Sequence, residues 1–165
     1  MSGFKTLVRV KLRFNKKKRM NLFSSILFST TLFLTTVWQT DFEKAKAEAK
    51  TENKFILLNF SGSDWCGPCI RLHKEIFDSE VFTKYADEHL VLVNADFPRL
   101  KKNMLSKEQQ KQNDALADKY NSDGAFPLTL LLDADGKVIK KWDGFPSETA
   151  EEFTNEVKTA AHASH

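Results

Sequence analysis

At 165 residues and 41% apolar content, the chain is long enough for one domain with a buried core plus an extension. Its net charge of +3 originates at the front. All eight basic residues of the first 40 positions (Lys5, Arg9, Lys11, Arg13, Lys16, Lys17, Lys18 and Arg19) precede the first acidic residue, Asp41, leaving 17 Lys and Arg against 22 Asp and Glu. The folded part is therefore acidic, at −5, which excludes a basic nucleic-acid-binding face and leaves no nucleic-acid partner to expect.

No residue from 20 to 40 is charged, and 22–38 is rich in Leu, Phe, Ile, Ser and Thr behind Lys16-Lys17-Lys18-Arg19. This is a basic n-region followed by an apolar h-region. Residues 1–40 are expected to be a basic N-terminus with a signal peptide or membrane anchor, and 41–165 the folded domain. The positive charge ahead of the run would send that domain outward, to the periplasm or cell envelope. Cleavage and anchorage both stay open, because Val37-Trp38-Gln39 is a poor cleavage site and the run is short for a bilayer span. Met20 is an alternative start.

Thr40-Asp41-Phe42-Glu43 has the Thr-x-x-Glu form of a capping box and predicts a helix to Asn53 with Phe42, Ala45 and Ala49 inward. Residues 55–60 are almost continuously apolar, the pattern of a strand covered on both faces. They lead to the chain's only cysteines, Cys66 and Cys69, at the start of a second helix. There Cys69, Leu72 and Ile76, with Ile70 and Phe77, are expected inside, and Arg71, Lys74 and Glu75 outside. His73 reads as a residue of the helix surface. A further helix over 80–88 turns Phe82, Tyr85 and Ala86 inward, and a strand over 90–97 ends at Pro98.

Arg99, Lys101, Lys102, Lys107 and Lys111 then form a charged excursion, read as a solvated loop and helix face or else as a docking surface for an acidic partner. Ser106-x-x-Gln109 predicts the cap of a helix running to Tyr120. Residues 127–132, the turn Asp133-Ala134-Asp135-Gly136 and residues 137–142 predict two strands and their connection. A last helix over 147–161 places Phe153, Val157 and Ala160 on one face.

Two cysteines separated by two residues at a helix start suit dithiol–disulfide chemistry. Cys66 is expected to expose its sulfur and attack, its thiolate favoured by unpaired N–H groups; Cys69, one turn deeper, is expected to close the ring. Pro68 fits the first turn, where its missing N–H costs nothing. The other readings are weaker. A closed zinc site needs four ligands, whereas the chain offers one cysteine pair with His73 and His89; haem attachment needs His where Ile70 stands. A purely structural bridge across two residues removes little chain entropy.

Trp65-Cys66-Gly67-Pro68-Cys69 resembles the active site of thioredoxins, and the element order over about residues 41–161 is similar to theirs. The resemblance implies an α/β thioredoxin fold, a central mixed sheet flanked by helices, with an N-terminal helix and an inserted segment near 98–113. Gly62-Ser63-Asp64-Trp65-Cys66 and the inserted basic segment look like exported or membrane-anchored thioredoxin-like thiol–disulfide oxidoreductases of Gram-negative bacteria. Such proteins reduce or exchange disulfides of envelope proteins. The resemblance implies no bound cofactor or metal, partners that are protein thiols or disulfides and an upstream thiol reductant, and a monomeric domain. It also implies that Trp65, Gly67, Pro68 and a cis Phe126-Pro127 shape the substrate site. Gly144, near Phe145-Pro146, reads either as keeping backbone close to the same groove or as a plain turn glycine. The alternatives are a dithiol oxidase and a non-catalytic binding or chaperone module.

One position departs from the family. Asn59 stands where thioredoxins carry a buried aspartate, one residue further from the cysteines, and an amide cannot carry a proton. The proton-transfer position is thus expected at Asn59 only as a hydrogen-bonding relic, with water or Asp64 taking the proton itself.

Overall fold

In a computed structural model, residues 37–164 are described, so the basic segment, Met20 and most of the apolar run lie outside the described residues. The elements in chain order are α1 (Phe42–Glu52), β1 (Phe55–Ser61), α2 (Gly67–Leu72), α3 (Glu80–His89), β2 (Leu90–Asp96), α4 (Lys107–Tyr120), β3 (Leu128–Leu132), β4 (Val138–Asp143) and α5 (Ala150–His162). A π-helical turn, His73–Phe77, continues α2, and a 3-10 turn, Lys101–Asn103, lies in the inserted segment ahead of α4. The sheet order is β2-β1-β3-β4, with β1 parallel to β2 and the other pairs antiparallel. This mixed sheet flanked by helices is the thioredoxin fold that the resemblance implied.

Alternation along β1 sorts the core. Ile56, Leu58 and Phe60 join Val91, Val93, Leu128 and Leu130 on the face packed against Phe42, Ala45 and Ala49 of α1 and Leu116 of α4. Leu57 joins Leu92 and Leu131 on the opposite face, under Leu72, Ile76, Phe77, Phe82, Phe153 and Val157. Each fully buried Leu, Ile or Phe stabilises the fold by about 1.5–3 kcal/mol relative to exposure. By the same alternation, Asn59 and Ser61 share the face of Leu57, and their register partners are Asn94, Asp96 and Thr129. The face beneath α2 therefore turns polar at the carboxyl ends of β1 and β2.

Several sequence expectations are corrected. The N-cap of α1 is Asp41, whose carboxylate accepts from Lys44 N at 3.0 Å, while the Thr40 carbonyl accepts from the Gln109 side chain. α5 begins at Ala150, because Thr149 and Glu152 form a reciprocal capping box there. Ile70 is 48% exposed, since it lies about 100° round the helix from Cys69. His73 is part-buried, its ring 4.9 Å from that of Trp38 and 5.2 Å from that of Phe77. Trp38 and Gln39, assigned to the N-terminal segment, pack on the domain. Gln39 N donates to Leu92 O at 2.8 Å and Gln39 O accepts from Asn94 N at 2.9 Å, along the outer edge of β2.

Candidate active site

The loop leaving β1 turns back on Gly62, whose carbonyl accepts from Trp65 N at 3.2 Å and Cys66 N at 2.9 Å. That turn makes Cys66 the N-cap of α2 and puts Pro68 in the first turn, as expected. Cys66 and Cys69 form a disulfide, and Cys69 N–H donates to Cys66 Sγ at 3.2 Å. As residues they are 4% and 1% exposed. Cys69 is the deeper, but Cys66, closed into the disulfide, is far less open than the sequence reading expects. Gly67 and Pro68 are exposed beside it.

Trp65 is held from three sides. Its Nε1–H donates to Phe97 O at 2.8 Å, its ring meets that of Phe126 edge-on at 5.5 Å, and the Arg99 guanidinium lies 3.5 Å from its centroid. Gly62 is required below it, since a Cβ there would come within 2.3 Å of the indole. Asp64 fastens the inserted segment to this loop. Its carboxylate accepts from Arg99 N and Leu100 N, both at 2.9 Å, and from Asn103 Nδ2 at 3.0 Å. These bonds, that from Arg99 N foremost, hold its carboxyl below the usual carboxylate range. The charged residues of the segment are exposed, except that Arg99 also caps Trp65, which the sequence reading did not anticipate.

Across from the disulfide loop, Phe126-Pro127 is a cis peptide, and Gly144 N donates to Pro127 O at 2.9 Å. Gly144 has φ of 80°, a conformation that favours glycine.

Behind Cys69 runs a polar network. The Thr129 hydroxyl donates to Asn59 Oδ1 at 3.2 Å, Asn59 Nδ2 donates to Asn94 Oδ1 at 3.1 Å, and Asn59 Nδ2 lies 3.4 Å from His73 Nε2. The Ser61 hydroxyl lies within reach of both Asn94 Oδ1 and Asp96 Oδ1, while Asp96 also accepts from Ser63 N and the Ser63 hydroxyl. Asn59 is fully buried and satisfied, so its amide is built into the fold. Sequence reasoning placed Asn59 but missed its partners. The available signal was the repeated spacing Asn59-x-Ser61 and Asn94-x-Asp96, polar at every second position of strands otherwise apolar. Burial pushes the His73 imidazole below its ordinary pKa, against a smaller opposing pull from Asp78 and Asp96.

Among the described residues no group of three or more His, Cys, Asp or Glu is placed to hold a metal ion. The redox chemistry rests on the cysteine pair.

Residues 42–161 match the family model described as a thioredoxin-like domain. The chain belongs to the thioredoxin-like family. This thioredoxin-like protein is 35% identical over 123 residues to the disulfide bond reductase DsbH of Chlamydia pneumoniae, a match covering 74% of this chain and 71% of that one. It is also 32% identical over 113 residues to the thioredoxin-related protein DsbJ of the same organism, covering 68% of this chain and 32% of that longer one. A solved DsbH oxidoreductase superimposes with a TM-score of 0.70 at 33% identity, covering 78% of this chain and 85% of that one. The thioredoxin-like protein is accordingly a thiol–disulfide oxidoreductase, an enzyme working through Cys66 and Cys69.

Proposed function

We propose that the protein reduces or exchanges disulfides of cell-envelope proteins, with Cys66 as the attacking sulfur and Cys69 as the resolving one. The observation that carries the assignment is the bond from Cys69 N–H to Cys66 Sγ, which favours a thiolate on Cys66 and leaves Cys69 without the same donor. In the reductive direction Cys66 thiolate attacks a partner disulfide, forming a mixed disulfide and releasing one partner thiolate. Cys69 then attacks Cys66 Sγ, the second partner sulfur leaves, and the ring disulfide remains for an upstream thiol reductant to reopen. Trp65, Gly67 and Pro68 on one side and Phe126 and cis-Pro127 on the other form the proposed seat for the partner segment. The folded domain acts as a monomer. Export or anchorage is assigned to the apolar run from residue 20 up to the packed Trp38; among the described residues no helix is long and apolar enough to cross a membrane. Envelope placement is supported by that N-terminal pattern and by the likeness to DsbH.

The roles are tested by trapping. Cys69→Ser should accumulate a mixed disulfide with a disulfide-bonded test protein, and Cys66→Ser should not. The reverse outcome would exchange the two roles.

A further inference from the structure

The inserted segment is fastened to the active-site loop by its backbone. Asp64, two residues ahead of Cys66, accepts from Arg99 N, Leu100 N and Asn103 Nδ2, so the Arg99 side chain takes no part in the fastening. That side chain lies over Trp65 instead, with its guanidinium carbon 3.5 Å from the ring centroid. Trp65 in turn meets Phe126 edge-on, and Phe126 is joined through the cis peptide to Pro127. Arg99 therefore extends, on its outer side, the aromatic wall of the seat proposed for the partner segment.

Stacking occupies the face of a guanidinium and leaves its N–H edge free to pair. Among the described residues no acceptor takes a hydrogen bond from the Arg99 side chain, and no carboxylate forms an ion pair with it. Arg71 supplies the contrast. It also lies over an aromatic ring, 4.3 Å from the centroid of Phe145, but its Nε and Nη2 donate to the Glu75 carboxylate at 2.9 Å and 3.1 Å. Lys101 and Lys102, exposed on the 3-10 turn that follows Arg99, pair with no carboxylate among the described residues either. In a domain where Asp and Glu outnumber Lys and Arg, three unpaired cations thus stand together beside the active-site loop. A merely solvated charge needs no fixed side chain, whereas Arg99 is held at its backbone by Asp64 and at its tip by Trp65. Little rotamer freedom is left for it to lose on pairing.

We infer that Arg99 is a specificity-determining residue of this site, pairing its N–H edge with an Asp or Glu side chain that flanks the target disulfide in the partner protein. This rests on the assignment of Cys66 as the attacking sulfur. The substrate class is accordingly a protein disulfide set in an acidic segment. Two guanidinium N–H groups donate to the two oxygens of one partner carboxylate, a geometry that a lysine cannot reproduce. Lys101 and Lys102 add attraction without fixing an orientation. Because Arg99 is exposed at the rim of the site, the pair acts chiefly on the rate of encounter, and salt weakens it.

The test uses the reduced full chain and short peptides in which one cysteine, joined as a disulfide to pyridine-2-thiol, is flanked on each side by two Glu, two Gln or two Lys. Cys66 thiolate attacks the peptide sulfur and pyridine-2-thione leaves, so its absorbance in stopped flow gives the second-order rate of attack. Each protein is judged by the ratio of its Glu-peptide rate to its Gln-peptide rate, in which any general loosening of Trp65 cancels. Variants of Arg99 keep the backbone N–H that Asp64 holds. The wild-type ratio should be about fivefold at low salt and fall toward one as salt is raised to about 1 M. Arg99→Gln should bring the low-salt ratio to about half the wild-type value or less. Arg99→Glu should lower it further and favour the Lys peptide over the Gln peptide more than the wild type does. The basic N-terminus attracts an acidic peptide equally in all three proteins, so a ratio that survives unchanged in Arg99→Gln would overturn the inference. A wild-type ratio below about twofold at low salt would overturn it as well. If Cys66→Ser released the thione as fast as the wild type, the role assignment beneath the inference would fail instead.

Discussion

Gly62→Ala probes the packing that holds the active-site loop. The new Cβ would lie 2.3 Å from Trp65 Cε2 and 2.4 Å from Nε1, closer than real contacts permit, so the indole must swing away. Three interactions go with it: the hydrogen bond to Phe97 O, about 0.5–1.5 kcal/mol; the edge contact with Phe126, about 0.5–1.5 kcal/mol; and the stacked Arg99, about 0.5–1 kcal/mol. Because they share one ring their losses are not additive, and a total of about 2–3 kcal/mol is expected. Urea unfolding of the oxidised protein measures it. A double-mutant cycle isolates the cause, since in a Trp65→Ala background the same glycine change should cost less by about 1 kcal/mol or more. A loss below about 0.5 kcal/mol in the wild-type background, or equal losses in both, would refute this account of the loop.

Trp38→Ala should destabilise the protein by about 1–3 kcal/mol in the same melts, below the cost of deleting a fully buried Trp because Trp38 is only part-buried against His73 and Phe77. No change would mean that the segment ahead of α1 is not part of the folded unit. Asn113→Ala should cost about 1–3 kcal/mol, because Asn113 is buried and its Nδ2 donates to Asp96 O at 2.8 Å, clamping α4 to the end of β2. Stability should also depend on His73. Its folded-state pKa is lowered by burial, so between that value and about 6.5 the unfolded chain binds more protons than the folded one. Stability is therefore complete above about pH 6.5, declines as pH falls through that window, and levels below the folded pKa. Melts near pH 7.5 and pH 5.5 should show a smaller decline for His73→Gln than for the wild type, and equal declines would contradict the assignment.

The apolar runs carried most of the fold, since continuous stretches such as 55–60 and 90–97 read as strands covered on both faces. Ser106 capping α4 through Gln109 N was equally direct. What escaped depended on contacts distant in sequence. Trp38 sits in an apolar run that reads as part of a targeting segment, and only the edge of β2, some 50 residues later, draws it into the domain. The short α2 continues into a π-helical turn, which no local pattern announced; Trp38 then covers His73, a residue that helical spacing alone leaves on the surface. Asn59 was legible as a departure from the family. Its meaning was not, because Asn94, Thr129 and His73 come from three other elements.

The reduction potential of the Cys66–Cys69 couple tests the central claim, that the protein works as a reductant, most directly. Gly67-Pro68 between the cysteines resembles reducing thioredoxins, and the relative from Chlamydia pneumoniae is a disulfide bond reductase. Equilibrating the full chain with thiol–disulfide buffers should give a value near about −270 mV. A value above about −150 mV, toward the strongly oxidising end of the range, would contradict the reductant reading and favour a dithiol oxidase.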